Sequence, residues 1–301
     1  MAVDLKKIGT EQRNKNTMNI DMLSTMEIVT KLNDEDKTVP VAVGAALGQI
    51  AALVDEIVEA FYNDGRLIYM GAGTSGRIGI LDAVECRPTY GVSDEMVQCL
   101  MAGGEGAMTK AVEGAEDSKE MAIADLKKIN ITSKDIVVGI TASGRTPYAV
   151  SGVEYANQIG CVTGCITTSP NSEIASVAKY PIEAITGAEP ITGSTRMKSG
   201  TAQKLICNLL STASMVKMGK VYENLMIDVQ PTNLKLVSRA QSIIVQITGV
   251  TNDEAQKNID KFGSVKKALF AILSGVEDVD QVNKYLNDAN GHIRNALKRV
   301  K

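Results

Sequence analysis

The feature that most narrows the fold is a recurrence of five short apolar runs, each closed by Gly, Ser, Thr or Pro. They are RLIYMGAG (66–73), MVQCLMAG (96–103), DIVVGITAS (135–143), CVTGCITTS (161–169) and YPIEAITG (180–187). Runs that are apolar nearly throughout, instead of alternating, suit strands buried on both faces. Helical patterns separate most of them. The expectation is an α/β chain with a doubly wound, mostly parallel five-stranded sheet.

Upstream, Val43, Leu47, Ile50, Val54, Ile57, Val58 and Phe61 fall at a 3.6-residue period, predicting one long amphipathic helix that stops at Asn63-Asp64-Gly65. Residues 1 to about 40 read as polar and turn-rich, with TEQRN and NDEDKTVP as the clearest segments. A further long helix is expected from about Met197 to Gly219. Beyond Gln230-Pro231-Thr232 the pattern becomes several short helices with no strand, Thr251 and Ser264 serving as N-caps and Gly275 as a stop. This organisation divides the chain into an N-terminal segment and long helix (1–56), a sheet domain (57–220) and a small all-helical domain (233–301).

Composition removes several functions. With 32 Lys and Arg against 35 acids, the net charge of −3 lacks the basic excess of a nucleic-acid footprint. No Trp, three Phe and eight Tyr make a stacking platform a poor reading. Cys86, Cys99, Cys161, Cys165 and Cys207 form no C-x-x-C pair, and His292 is the only histidine, so no familiar zinc site can be assembled and reduced thiols are expected. His292 itself, where a tail helix begins, reads as a cap or surface residue. One histidine also removes Ser-His-Asp and Cys-His catalysis. The opening residues carry no apolar signal core, and the apolar stretch Val41 to Val54 is too short for a membrane span. The expectation is a cytoplasmic protein with no membrane or nucleic-acid partner, whose acid–base chemistry falls to carboxylates, lysines or hydroxyls.

Two strand–loop–helix junctions share a design. The first strand ends in Gly71-Ala-Gly-Thr74-Ser75-Gly76-Arg77 and the third in Thr141-Ala-Ser143-Gly144-Arg145-Thr146-Pro147, both carrying Ser-Gly-Arg into a helix. Open α/β sheets bind ligands at the carboxyl ends of their strands, where helix N-termini favour anions. A phosphate or a polyol would suit such a pocket. Thr192-Gly-Ser194-Thr195-Arg196-Met-Lys198 opens the long helix with similar chemistry. Gly71, Gly73 and Gly76 also spell G-x-G-x-x-G, but the acidic residues about 20 positions on, Asp94 and Glu95, precede the second strand instead of ending it, which weakens a dinucleotide reading. Plain tight turns are the bland alternative, and they leave the recurrence of Ser-Gly-Arg unexplained.

Among the acids, Asp82 and Glu85 stand at i, i+3 on the helix after the first loop, and Pro88 is expected to end that helix. Ala83, Val84 and Cys86 flank Glu85, and a carboxyl in apolar surroundings holds its proton to higher pH. Glu113, Glu116 and Asp117 follow the second strand.

GAGTSGRIGILDAVEC (71–86) with PTYG (88–91), AVEGAEDS (111–118), ITASGRTPY (140–148) and TGSTRMKSGTAQK (192–204) together resemble the N-acetylmuramic acid 6-phosphate etherases of the sugar isomerase (SIS) superfamily, in order and spacing over nearly the whole chain. Val84 and Arg87 depart from the Ser and Pro common in that family. The resemblance implies Glu85 as general acid and Glu116 as general base; Glu113, which with Glu116 flanks Gly114-Ala115, is a helper or a competitor for the second role. Thr74, Ser75, Ser143, Arg145, Thr146 and Ser194 would hold the phosphosugar. It also implies a homodimer, no metal or other cofactor, a ubiquitin-associated-like helical tail, and cleavage of the lactyl ether to N-acetylglucosamine 6-phosphate and D-lactate. A phosphosugar-binding regulator without catalysis, and an aldose–ketose phosphosugar isomerase, remain as alternatives.

Overall fold

The computed structural model describes residues 9–110, 112–228 and 234–300. The chain forms two compact units, one of Met1–Val84 and Asp94–Ser211, the other of Glu85–Ser93 and Thr212–Lys301. The first contains α1 (Thr25–Asp36), α2 (Val39–Ala45), α3 (Leu47–Tyr62), β1 (Leu67–Gly71), the opening turns of α4 (Gly73–Tyr90), β2 (Val97–Met101), α5 (Lys119–Lys128), β3 (Ile136–Ile140), α6 (Pro147–Ile159), β4 (Val162–Thr167), α7 (Glu173–Val177), β5 (Tyr180–Glu183) and most of α8 (Lys198–Lys217).

The sheet is parallel throughout, in the order β2-β1-β3-β4-β5. β1 and β3 are buried along their whole length, as their unbroken apolar runs require. Successive side chains of β1 face opposite layers. Met70 is approached so closely by α6 that a Cβ on Gly152 would lie 2.5 Å from its sulfur. The Tyr69 hydroxyl points the other way, donating to Asp82 on α4 at 3.0 Å and to the Cys207 carbonyl on α8 at 3.4 Å. Helices therefore cover both faces. Gly76 allows α4 to sit on β1, since a Cβ there would lie 2.8 Å from the Gly71 carbonyl oxygen. Cys86, Cys161, Cys165 and Cys207 are buried and Cys99 half-buried.

Three local expectations are corrected. The single helix from Val43 is two, broken at Ala46 (φ −100°, ψ 6°) between Gly44 and Gly48, whose low helix propensity on both sides makes the break cheap. The polar segment before residue 40 contains α1, started by a capping box in which Ser24 and Glu27 satisfy each other's backbone N–H groups. Pro88 does not end α4, which runs on past it to Tyr90. Gly91, at φ +65°, follows it.

The second unit holds a short hairpin, β6 (Val221–Tyr222) with β7 (Leu225–Met226), and the helices α9 (Leu234–Thr248), α10 (Asn252–Phe262), α11 (Val265–Ser274), α12 (Val279–Asp288) and α13 (Ile293–Leu297). Thr251 and Ser264 cap α10 and α11, and Gly275 ends α11 at φ +72°. Ile243, Phe262, Leu269, Phe270, Val282 and Leu286 form its core. Among the described residues no single helix is long and apolar enough to cross a membrane.

Where β1 and β3 begin, Asp135 joins them. Its carboxylate accepts from the Arg66 backbone N–H at 3.0 Å, from Arg66 Nε at 2.9 Å and Nη2 at 2.8 Å, and from Thr132 N–H at 2.8 Å. Burial opposes the charged form, but these hydrogen bonds and the guanidinium outweigh it and hold the Asp135 pKa below its ordinary value. The carboxylate thus stabilises the fold fully at neutral pH, and that contribution is lost as pH falls through its lowered native pKa. Asp135→Ala, which strands buried donors, is expected to lower unfolding free energy by about 3 kcal/mol at pH 7 in urea titrations. The difference from the native chain should shrink in acid.

Candidate active site

In the order β2-β1-β3, the chain changes direction across the sheet at β1 and β3, with Gly71 beside Ile140. The loops leaving these neighbouring strands diverge and leave a crevice. A cavity of about 340 Å³ lies there, lined by Gly73 and Thr74 of α4, Thr141 to Pro147 of the β3–α6 junction apart from Gly144, Glu116 and Asp117, Gly193 and Thr195, and Thr10 and Glu11.

The β3–α6 loop is held from behind. Thr167, Thr168 and Ser169 all donate their hydroxyls to the Ala142 carbonyl, at 3.3, 3.1 and 3.0 Å. Thr141 and Thr146 share a hydroxyl–hydroxyl bond of 2.8 Å, and the Arg145 N–H donates to Ser143 Oγ at 3.4 Å. Gly144 turns the loop at φ +70°, where a Cβ would lie 2.2 Å from Ser172 Cβ. Thr146 is the N-cap residue of α6, its side chain making no cap bond, and Pro147 follows. Hydroxyls, a guanidinium and the positive end of a helix dipole are thus presented together, an arrangement suited to an anion. Glu116, on a 3-10 turn (Ala115–Asp117) entered through the left-handed Gly114, adds a carboxylate to this cavity. It also lines a second one of about 250 Å³, shared with Arg77, Met101 and Glu113.

Of the residues expected to form the site, Thr74, Ser143, Arg145, Thr146 and Glu116 line the first cavity. Ser75 and Ser194 do not. Ser75 is buried and donates to Gln203 on α8 at 2.9 Å, while Gly193 and Thr195, on either side of Ser194, face the cavity instead. Glu85 falls in the second compact unit and is exposed, so its apolar sequence neighbours do not wrap it. Asp82, expected beside it, is a core group. Burial pushes its pKa up, opposed by hydrogen bonds from Asn208 (2.7 Å), Ser211 (3.0 Å) and Tyr69.

The recurring Ser-Gly-Arg serves two purposes. Arg145 lines the cavity, but Arg77 donates to the Met108 carbonyl at 2.9 Å and the Ala107 carbonyl at 2.8 Å, fastening the loop after β2. The N-terminus of α8 is likewise engaged by its own chain. Glu189, fully buried, accepts from Lys198 N–H at 2.8 Å and Ser199 N–H at 2.9 Å. The Lys198 ammonium is buried in an ion pair with Glu35 at 2.8 Å. Among the described residues no group of three or more His, Cys, Asp or Glu side chains is arranged to hold a metal ion. Thr141 and Thr195, from two of the segments expected to suit a ligand, line the cavity, whereas Thr10 and Glu11 were not expected there. TEQRN signalled only a turn, and nothing local says which cavity a turn will face.

Residues 49–157 match the family model of the glucokinase regulatory protein N-terminal SIS domain, and residues 108–213 match that of the SIS domain. A crystal structure from Bacteroides fragilis NCTC 9343, described as a phosphosugar isomerase involved in capsule formation, superposes with a TM-score of 0.52 at 22% identity, covering 67% of this chain and 95% of its own. The fold and these matches define an SIS-domain protein. Two N-acetylmuramic acid 6-phosphate etherases are similar over almost the full length. That of Clostridioides difficile (strain 630) is 53% identical over 98% of this chain and 97% of its own, and that of Clostridium botulinum (strain Loch Maree / Type A3) is 51% identical over 99% of both. The chain belongs to the N-acetylmuramic acid 6-phosphate etherase family.

Removing the cap that closes α8 tests whether this edge of the site is self-supporting. Glu189→Ala leaves two buried N–H groups unsatisfied and is expected to cost about 2 kcal/mol in denaturant unfolding. An unchanged midpoint would show that the cap is dispensable.

Proposed function

We propose that this chain is a carbon–oxygen lyase that cleaves the D-lactyl ether of N-acetylmuramic acid 6-phosphate, yielding N-acetylglucosamine 6-phosphate and D-lactate. The observation that carries this reading is identity of 51–53% with etherases over essentially entire chains. The cavity at the β1 and β3 loops supports it, since hydroxyls and a guanidinium suit a phosphate and a carboxylate stands in the same space.

An alkyl ether resists direct hydrolysis because an alkoxide is a poor leaving group. Opening the sugar ring exposes an aldehyde at C1, which acidifies the hydrogen at C2. In the proposed sequence the Glu116 carboxylate takes the C2 proton, the C3–oxygen bond breaks, and a proton from Glu85 goes to the departing lactyl oxygen. Water then adds across the C2–C3 double bond, placing a hydroxyl at C3 and returning a proton to C2. Two carboxyls in opposite protonation states do this work. Thr74, Ser143, Arg145 and Thr146 hold the phosphate, while Ser75 ties the first turn of α4 to α8.

The exposure of Glu85 in the single chain bears on assembly. Leu81 and Val84, on the same helix, are 48% and 57% exposed, and apolar surface of this kind favours coverage by another chain. We propose a homodimer that covers it and dries the acid. A cytoplasmic setting fits the phosphorylated substrate, and residues 57–220 and 233–301 are proposed as the phosphosugar and helical tail domains.

Turnover in heavy-oxygen water, read by mass spectrometry, is expected to release lactate and place the label at C3 of the sugar. Glu116→Gln is expected to abolish exchange of the C2 hydrogen and lower turnover roughly 100- to 10,000-fold, while Glu113→Gln only slows it. The reverse ranking would mean that the base is misassigned. Substrate bound and returned intact would instead identify a binding regulator.

A further inference from the structure

The motif Thr10-Glu11-Gln12-Arg13-Asn14 has no part in the chemistry above, yet the first unit fastens it firmly beside the cavity. Asn14 Nδ2 donates to Glu35 at 2.7 Å and to the Ala188 carbonyl at 3.1 Å. Asn16 Nδ2 donates to the other Glu35 oxygen at 2.7 Å, and Lys198 closes the cluster. Thr17 Oγ1 reaches the Pro190 carbonyl at 2.7 Å, and the Gly193 N–H donates to the Thr10 carbonyl at 3.2 Å. Through these bonds a 3-10 turn (Gly9–Glu11) becomes a wall of the site.

Two features of that wall point to a ligand. Thr10 is only 2% exposed, and its hydroxyl finds no hydrogen-bond partner among the described residues, although it lines the same cavity as Thr74, Ser143 and Thr146. A buried hydroxyl without a partner costs stability, and such groups are uncommon enough to need a reason. Glu11 lines the cavity too, and Gly193 makes room for its carboxylate, since a Cβ there would lie 3.0 Å from Glu11 Oε2. A carboxylate repels a phosphate and accepts hydrogen bonds from neutral donors. The hydroxyls and guanidinium of the β3–α6 loop take the anionic end of a ligand, which leaves Glu11 for an uncharged one.

We propose that Thr10 and Glu11 are substrate-positioning residues, which grip the hydroxyl-bearing carbon chain of the sugar and favour a phosphosugar over a bare phosphate. The inference rests on the phosphosugar reading of the site, and a binding measurement separates the two. Calorimetric titration of the full chain with N-acetylglucosamine 6-phosphate and, separately, with inorganic phosphate is the test, with lactate release from N-acetylmuramic acid 6-phosphate followed alongside. Thr10→Val removes only a hydroxyl that no described residue uses, so the melting temperature of the ligand-free chain should hold or rise. Affinity for the phosphosugar should fall about tenfold, the loss of one hydrogen bond, while affinity for inorganic phosphate stays as it was. Thr10→Ser should restore binding, and Glu11→Gln should weaken it in the same selective way. Unchanged phosphosugar affinity in both Thr10→Val and Glu11→Gln would overturn the proposal. So would an equal loss for phosphate and phosphosugar, which marks a structural effect on the loops. A native chain that binds the phosphosugar selectively but releases no lactate would end the etherase reading and leave this assignment supported.

Discussion

The site depends on one topological constraint, the adjacency of β1 and β3. Parallel strands need crossover helices, and a right-handed crossover can carry the chain outward in either direction from the first strand. Here β2 is laid on one side of β1 and β3 on the other. The helices that follow β1 and β3 therefore diverge, and their N-termini open onto common space. Thr74 and Thr146, far apart in sequence, come to line one cavity for this reason. A different strand order with identical loops would separate them.

A second constraint is that buried charge must be answered. Lys198 and Glu35 are both almost completely buried, and the desolvation of such a pair is offset only when geometry and further hydrogen bonds are good. Asn14 and Asn16 supply those bonds, which ties the N-terminal segment to the start of α8. Glu189 answers the dipole of α8 in the same way. Groups that look like ligand-binding chemistry in a one-dimensional reading are here consumed by the fold, and the consumption stiffens the rim of the cavity.

Much of the architecture was legible in advance because it rests on local or periodic signals. The five apolar runs became five strands, and Thr251, Ser264 and Gly275 bound helices through side-chain and left-handed backbone geometry that those residue types favour. The errors were of a different kind. Polar residues fill most positions of α1, so the capping box of Ser24 and Glu27 is its clearest local mark as a helix. The break at Ala46 was masked by a hydrophobic period that continues across it. Ser75, beside Thr74, was expected to share its task. The rotation of about 100° between adjacent helical residues turns Ser75 toward Gln203, and the length of the arginine lets Arg77 reach the carbonyls of another loop.

By itself the sequence determined the layered α/β plan, the hydroxyl-rich junctions at strand ends, and an acid–base repertoire of carboxylates, lysines and hydroxyls, since these follow from residue type, spacing and period. Only the tertiary structure decided which junctions meet, which charges are spent on each other, and that the turn at Thr10 and Glu11 faces the cavity. Those outcomes depend on strand order and on contacts between residues more than a hundred positions apart, such as Glu35 with Lys198. Local propensity carries no information about such distances.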